Sequence, residues 1–448
     1  MNSNRRVLLF VVYSVVIYLM VSILGTLFHV QWMPFKRINL ISDIVTKDST
    51  DVSDTLHDNT NGIVIEKKAH EDFNLYLRPR YITSFNTDST EPSLRNFMQK
   101  LYDLKTGKKR KIRIAYFGDS MIEGDLLTQT LRKLLQEAFG GSGVGFVPIT
   151  SQVSKFRQSV TADYSGGWAD ENFKTSNGGR LYLSGHLFRG NGDWVMMSDH
   201  TVTDSLAVIE KSIICGPASG PVNISVNNAT FTLHADHGLN RIPLVNDGSR
   251  QIRMSVAAPQ LPVYGISFET ASGIFVDNFS FRGITGIEYA KIDSAFMTQI
   301  AENNPYDLIV FQYGVNLLFR PNDRNFNWYA RALMPIVKKF RNCFPASDFL
   351  LVSTADRAFR YGGEYKSAVG IDSLIKIQAT LAYETGSCFY NQFASMGGTN
   401  SIVDWAQRNP SLANKDYVHP NHRGAEVLGD YLFRSMMSEF EKYKRTLK

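Results

Sequence analysis

"IRIAYFGDSMIEGDLL", Ile112–Leu127, decides how this chain is read. Ile112–Phe117 is a short, mostly apolar run with β-branched and aromatic residues, the pattern of a buried strand. A helical pattern follows at once over Ile122–Phe139, with Leu127, Leu131, Leu134, Leu135 and Ala138 on one apolar face. Gly140, Gly141 and Gly143 end it. Strand and helix meet at Gly118-Asp119-Ser120. A serine on that corner is either a helix cap or a nucleophile held over the end of a sheet.

The same grammar returns towards the C-terminus. "DLIVFQYG" (Asp307–Gly314) and "DFLLVST" (Asp348–Thr354) read as buried strands, and "CFYNQF" (Cys388–Phe393) as a third. The helical segments are Asn327–Phe340, Tyr365–Gly386 and His422–Tyr443, with a shorter helix upstream at Pro92–Leu104. Alternating strands and helices predict an α/β domain, its parallel sheet covered on both faces. Residues 151–275 differ. Their apolar residues alternate with period two between Gly, Asn, Asp and Pro clusters, which predicts an inserted antiparallel β-rich domain.

The carboxyl ends of parallel strands are where α/β sites form. Ser120 stands at the first of them. A serine nucleophile needs a base, and the base needs an orienting group. "DYVHPNHRG" supplies Asp416 and His419, three residues apart and able to face each other in a turn, with His422 as a weaker rival base. "QYGVN" places Asn316 beyond the strand that ends near Tyr313, where its amide can donate to an oxyanion. Gly283 lies past the end of a strand over Ile274–Phe281. A glycine there lets a backbone N–H approach the same oxygen, alongside the N–H of Ser120. The bland readings are a turn glycine for Gly283 and a helix cap for Asn316.

At these residues the sequence resembles the SGNH (GDSL-type) hydrolases. The four blocks are Gly118-Asp119-Ser120, Gly283 (with Gly286 as the alternative), Gly314-Val315-Asn316 and Asp416-Tyr417-Val418-His419. The resemblance implies a three-layer α/β/α, flavodoxin-like domain. It implies Ser120, His419 and Asp416 as a catalytic triad, and Ser120, Gly283 and Asn316 as the oxyanion hole. No metal or cofactor is implied. The long interval between the first two blocks resembles bacterial enzymes that remove O-acetyl groups from peptidoglycan and carry a β-sandwich, carbohydrate-binding-like insert. The implied function is an O-acetylesterase of cell-wall or surface polysaccharide. Two alternatives stand beside it: an O-acetyltransferase working with a membrane acyltransferase partner, and a non-catalytic glycan-binding protein.

The N-terminus gives the expected address. Arg6–Phe28 is an apolar run long enough, at about 33 Å as a helix, to cross a bilayer. Arg5 and Arg6 at its start favour a cytoplasmic N-terminus. The expectation is a single-pass signal anchor over residues 1–32, with the catalytic part extracytoplasmic, which means periplasmic if the cell is Gram-negative. A polar tether over 33–90 follows, then the hydrolase domain in two pieces, 91–150 and 276–448, around the insert 151–275. With 44% hydrophobic and 20% charged residues, most of the chain should fold. The net charge of +6 is scattered and argues against nucleic acid as a partner. Cys215, Cys343 and Cys388 lack metal-ligand spacing and read as small core residues.

Overall fold

The apolar runs pair edge to edge into one sheet. A computed structural model describes residues 12–14, 16–17, 20–21 and 70–448. In chain order the strands of this sheet are β1 Ile82–Thr83, β2 Lys111–Gly118, β3 Gly273–Ser280, β4 Leu308–Gln312, β5 Asp348–Val352 and β6 Cys388–Tyr390. Across the sheet they run β1-β6-β5-β4-β2-β3. The pairings from β3 through β6 are parallel, and β1 runs antiparallel to β6. Gly118 is the register partner of Ser280 on one side and of Gln312 on the other. The chain therefore leaves β2, β3 and β4 at one level. Between β2 and β4 the strand order reverses, and the crevice outside such a switch point is where open α/β sheets bind ligands.

The helices are α1 Arg95–Lys105, α2 Leu126–Phe139, α3 Ser294–Asn303, α4 Asn327–Cys343, α5 Ile371–Glu384, α6 Gln392–Met396, α7 Ser401–Gln407 and α8 His422–Arg445. Alternate strand residues sort the sheet's two faces. Ile112, Ile114, Tyr116 and Val310 pack with Leu131, Leu135, Leu428 and Met436 of α2 and α8. Ala115, Phe117, Ile309 and Phe311 pack with Phe296, Leu333 and Leu374 of α3, α4 and α5.

The insert is two antiparallel sheets. One has the order 229–233, 222–226, 251–257, 191–199, 160–164; the other runs 240–247, 209–215, 263–269, 186–189, 169–172. Val195, Met197, Ile252 and Met254 of the first share a core with Ile209, Ile213, Val263 and Phe268 of the second. Trp168, Tyr182 and Phe188 are buried in the core, while Trp194 is half-buried under Arg253. Cys215, Cys343 and Cys388 are buried free thiols.

Several boundaries move. Gly145–Pro148 pairs with Val263–Glu269 in the insert's own sheet, ahead of residue 151. The stretch read as tether is folded from residue 70, with Phe73 and Phe85 buried and β1 on the sheet edge. Tyr365–Ser367, read as helix, belongs to a hairpin: Glu364–Ser367 pairs with Ala358–Tyr361, and α5 starts only at Ile371. "CFYNQF" is strand only to Tyr390, after which Asn391 caps α6. The helix expected from Ile122 begins at Leu126, because Gly124 and Asp125 hold φ of 74° and 67°. The expected membrane span lies outside the described residues except at seven helical positions. Among the described residues no helix is long and apolar enough to cross a membrane.

Candidate active site

The corner after β2 is built by its glycine. A Cβ on Gly118 would stand 2.8 Å from the Ile122 side chain and 3.1 Å from the Gln312 carbonyl. Only glycine lets the chain turn this closely over β4. Asp119 is then buried, and its Oδ1 accepts the Met121 N–H at 2.9 Å. Ser120 follows, half-exposed at the carboxyl edge. Its N–H has no acceptor among the described residues.

Ser120 Oγ lies 2.9 Å from His419 Nε2. His419 Nδ1 lies 2.8 Å from Asp416 Oδ2. The other carboxylate oxygen of Asp416 accepts the N–H groups of Val418 and His419 at 2.9 and 3.1 Å. Partial burial works against the charged carboxylate, but the His419 ring and the two amides outweigh it and hold Asp416 at about 2. It is a carboxylate at any working pH, which fixes the imidazole with its Nδ1–H towards Asp416 and Nε2 free to accept from Ser120. The turn has a left-handed residue, Tyr417, with φ of 55°. Its ring stacks on Tyr365 at 4.0 Å, and its carbonyl accepts the Ala358 N–H at 3.0 Å. Beyond the turn Asn421 caps α8 through the Gly424 N–H. His422 is the first residue of α8, stacked on Phe156 with Nδ1 buried and unpartnered, and it does not meet Ser120.

Asn316 stands after β4, where Gly314 turns at φ of 138° and a Cβ would strike Thr354 at 2.5 Å. Asn316 Nδ2 donates to Asp119 Oδ2 at 3.1 Å and to the Ile284 carbonyl at 2.8 Å, so both amide hydrogens are engaged. Gly283 lies at the same edge past β3, exposed, at φ of 80°, its N–H without an acceptor among the described residues. Gly286 instead caps a short 3-10 turn, and a Cβ there would meet the Tyr313 ring at 2.9 Å. Its role is close packing. The edge thus offers two free backbone N–H groups, at Ser120 and Gly283, flanking an amide that is already shared.

Two site residues have no role in the motif reading, although Asp119 lies inside its first block. Burial pushes the Asp119 carboxyl up to about 7, although the Met121 amide and the charge of His419 pull the other way. Arg357 Nη1 donates to the Val315 carbonyl at 2.9 Å, beside Asn316. Burial lowers its pKa, partly countered by Asp416. Arg357 thus braces the Asn316 corner through the Val315 carbonyl, with the charge of Asp416 nearby. A basic residue just after a strand end, four positions past Ser353, was the available clue.

No protein-family model matches the sequence, and no curated protein sequence matches it. Among solved structures the chain is similar to a peptidoglycan O-acetylesterase, with a TM-score of 0.66 at 23% identity over 77% of this chain and 96% of that one. It also matches a family two carbohydrate esterase from Cellvibrio japonicus (TM-score 0.27, 8% identity, 63% of this chain and 99% of that one). A salicylyl-acyltransferase from a tetracycline biosynthetic pathway matches similarly (TM-score 0.30, 14% identity, 65% and 96%). At such scores the latter two carry no weight. The chain shares its fold with the peptidoglycan O-acetylesterase.

Proposed function

We propose that the chain is an SGNH-type serine esterase that removes O-acetyl groups from a cell-wall or surface polysaccharide. The observation that carries this reading is the continuous relay Ser120–His419–Asp416 at 2.9 and 2.8 Å, beside two unpartnered backbone N–H groups. His419 Nε2 takes the Ser120 proton as Oγ attacks the ester carbonyl. The N–H groups of Ser120 and Gly283 receive the oxyanion, joined by Asn316 when one of its hydrogens leaves Asp119 or Ile284. His419 returns the proton to the departing sugar oxygen, and water repeats the cycle on the acetyl-enzyme. The proton transfers use side chains already in contact. The fold shared with a peptidoglycan O-acetylesterase supports the choice of ester and polymer. We place the protein at a membrane through residues 1–32, with the catalytic domain extracytoplasmic.

The test is acetate release from acetylated peptidoglycan and from other acetylated glycans by purified protein, with and without a sugar acceptor. Free acetate is expected, and it should disappear in Ser120→Ala. Acetyl transfer to the acceptor without acetate release would favour the transferase alternative.

A further inference from the structure

Between the insert and the carboxyl edge of the sheet lies a pocket that the relay does not use. Asp170, Lys174, Ser184 and His186 of the insert face Ser280 and Arg282 at the end of β3. Ser184 is 3% exposed, and its Oγ is buried with no hydrogen-bond partner among the described residues. Buried hydroxyls are normally partnered, so an orphan lining a pocket marks a place for a ligand group. His186 is fixed by Asp170, Nδ1 to Oδ1 at 2.8 Å, and by stacking between Phe188 and Phe281. Its Nε2 is left for something else. Arg282 is bound to Glu123 at 2.7 Å, and Arg157, also on the wall, is bound to Asp125. Lys174 Nζ makes neither an ion pair nor a hydrogen bond among the described residues. It lies 5.6 Å from the Phe281 ring and 4.0 Å from where a Cβ on Gly283 would stand. An ammonium with no ion pair among the described residues thus stands beside Gly283.

We propose that this pocket is a subsite for a carboxylate-bearing sugar of the acetylated glycan. Lys174 takes the carboxylate, and Ser184, Ser280 and His186 take ring hydroxyls. The identity of the polymer rests on the esterase reading above; the pocket's preference for a carboxylate does not. A lysine is suited to this as a mobile point charge on a flexible stem.

Two measurements test it. In the first, wild type and Lys174→Met are compared on acetylated glycan strands containing N-acetylmuramic acid with its lactyl carboxylate free, on the same strands with that carboxylate reduced to the alcohol, and on 4-nitrophenyl acetate. The ratio of kcat/KM on the acidic strands to that on the small ester should fall roughly five- to tenfold in Lys174→Met, through KM, and Lys174→Arg should recover part of it. Wild type on the reduced strands should match Lys174→Met on the acidic ones. An unchanged ratio overturns the proposal, since Lys174 then either does nothing or acts on the reacting carbonyl itself. In the second, the unacetylated disaccharide of N-acetylglucosamine and N-acetylmuramic acid, and its carboxyl-reduced form, are titrated into Ser120→Ala protein by calorimetry. Preferential binding of the acidic form, lost in Ser120→Ala/Lys174→Met, supports the subsite even if no ester is hydrolysed, in which case the esterase reading alone fails. Equal binding of both forms overturns the subsite.

Discussion

Asn316 and Asp119 form the tightest constraint at the scale of single residues. One amide nitrogen serves a buried carboxylate and a carbonyl, and the proposed reaction asks it to serve a developing oxyanion too. Asn316→Ala should therefore lower kcat by about 10²–10³ with little change in KM, because the donor matters most in the transition state. A loss confined to KM in steady-state assays would assign Asn316 to substrate binding. Ser120→Ala should cost roughly a thousandfold or more while leaving the circular dichroism spectrum unchanged. Asp119 makes a prediction of its own. Burial raises its folded pKa to about 7, so the native state holds the proton more tightly than the unfolded chain. Stability from this linkage is present in full below the ordinary aspartate value and is lost as pH rises through about 7. Asp119→Asn should consequently be more stable than wild type by on the order of 1 kcal/mol or more above pH 7, with the advantage vanishing towards pH 4. It should also be slower, since Asn316 loses its carboxylate anchor. A difference in melting temperature that stays flat from pH 4 to 8 would show that Asp119 does not titrate in this window.

At the scale of elements, what the sequence hid was decided by partners far along the chain. The strand ends bearing Ser120, Asn316 and the Asp416–His419 turn were legible, because apolar runs and motif spacing are local signals. The start of α2 was not. Asp125 and Gly124 break the helical pattern so that the Asp125 carboxylate can meet Arg132 at 2.7 and 2.8 Å, Ser159 at 2.6 Å and Arg157 at 3.4 Å, the last two more than 30 residues on. These cations hold Asp125 well below the usual carboxylate range, against its burial. Asp125→Ala would leave two buried guanidinium groups without their anion. It should cost about 3–5 kcal/mol in denaturant unfolding. Nor could periodicity show that Tyr365 leaves the expected helix for a hairpin, since what holds it is the Tyr417 ring 52 positions away. That contact braces a left-handed residue inside the Asp416–His419 turn. Tyr365→Ala should lower kcat by about tenfold or more through misplacement of His419, with the rest of the fold intact. β1 was equally hidden, because two residues pairing with β6 make no pattern of their own.

At the scale of the whole molecule, the insert and the α/β domain are joined by charge as well as by chain. Glu269, fully buried on the last insert strand, binds Arg113 Nε and Nη2 at 3.0 and 2.7 Å and Lys111 at 3.0 Å, both on β2, and also Arg241 of the insert at 2.9 Å. Those cations keep it ionised far below the usual range despite burial. Nearby, Asp277 of β3 accepts the Phe146 N–H of the insert's first strand at 2.8 Å and the Tyr306 hydroxyl at 2.7 Å. The strand that carries Ser120 is thus held at its opposite end by a residue of the insert. Two units sharing buried ions cannot separate without exposing them, and removing one partner of such a cluster is far more costly than its net worth in place. The protein from residue 70 on should therefore unfold in one cooperative transition, with tryptophan fluorescence, which reports on insert residues Trp168 and Trp194 among others, coinciding with loss of esterase activity. Glu269→Gln leaves three cations around a neutral amide. It should cost about 3 kcal/mol or more and split the transition, because the shared cluster no longer couples the halves. Calorimetry on the two proteins decides it: two resolved transitions in the wild type, or an unchanged single one in Glu269→Gln, would mean that the insert is merely tethered and that the seam carries no coupling.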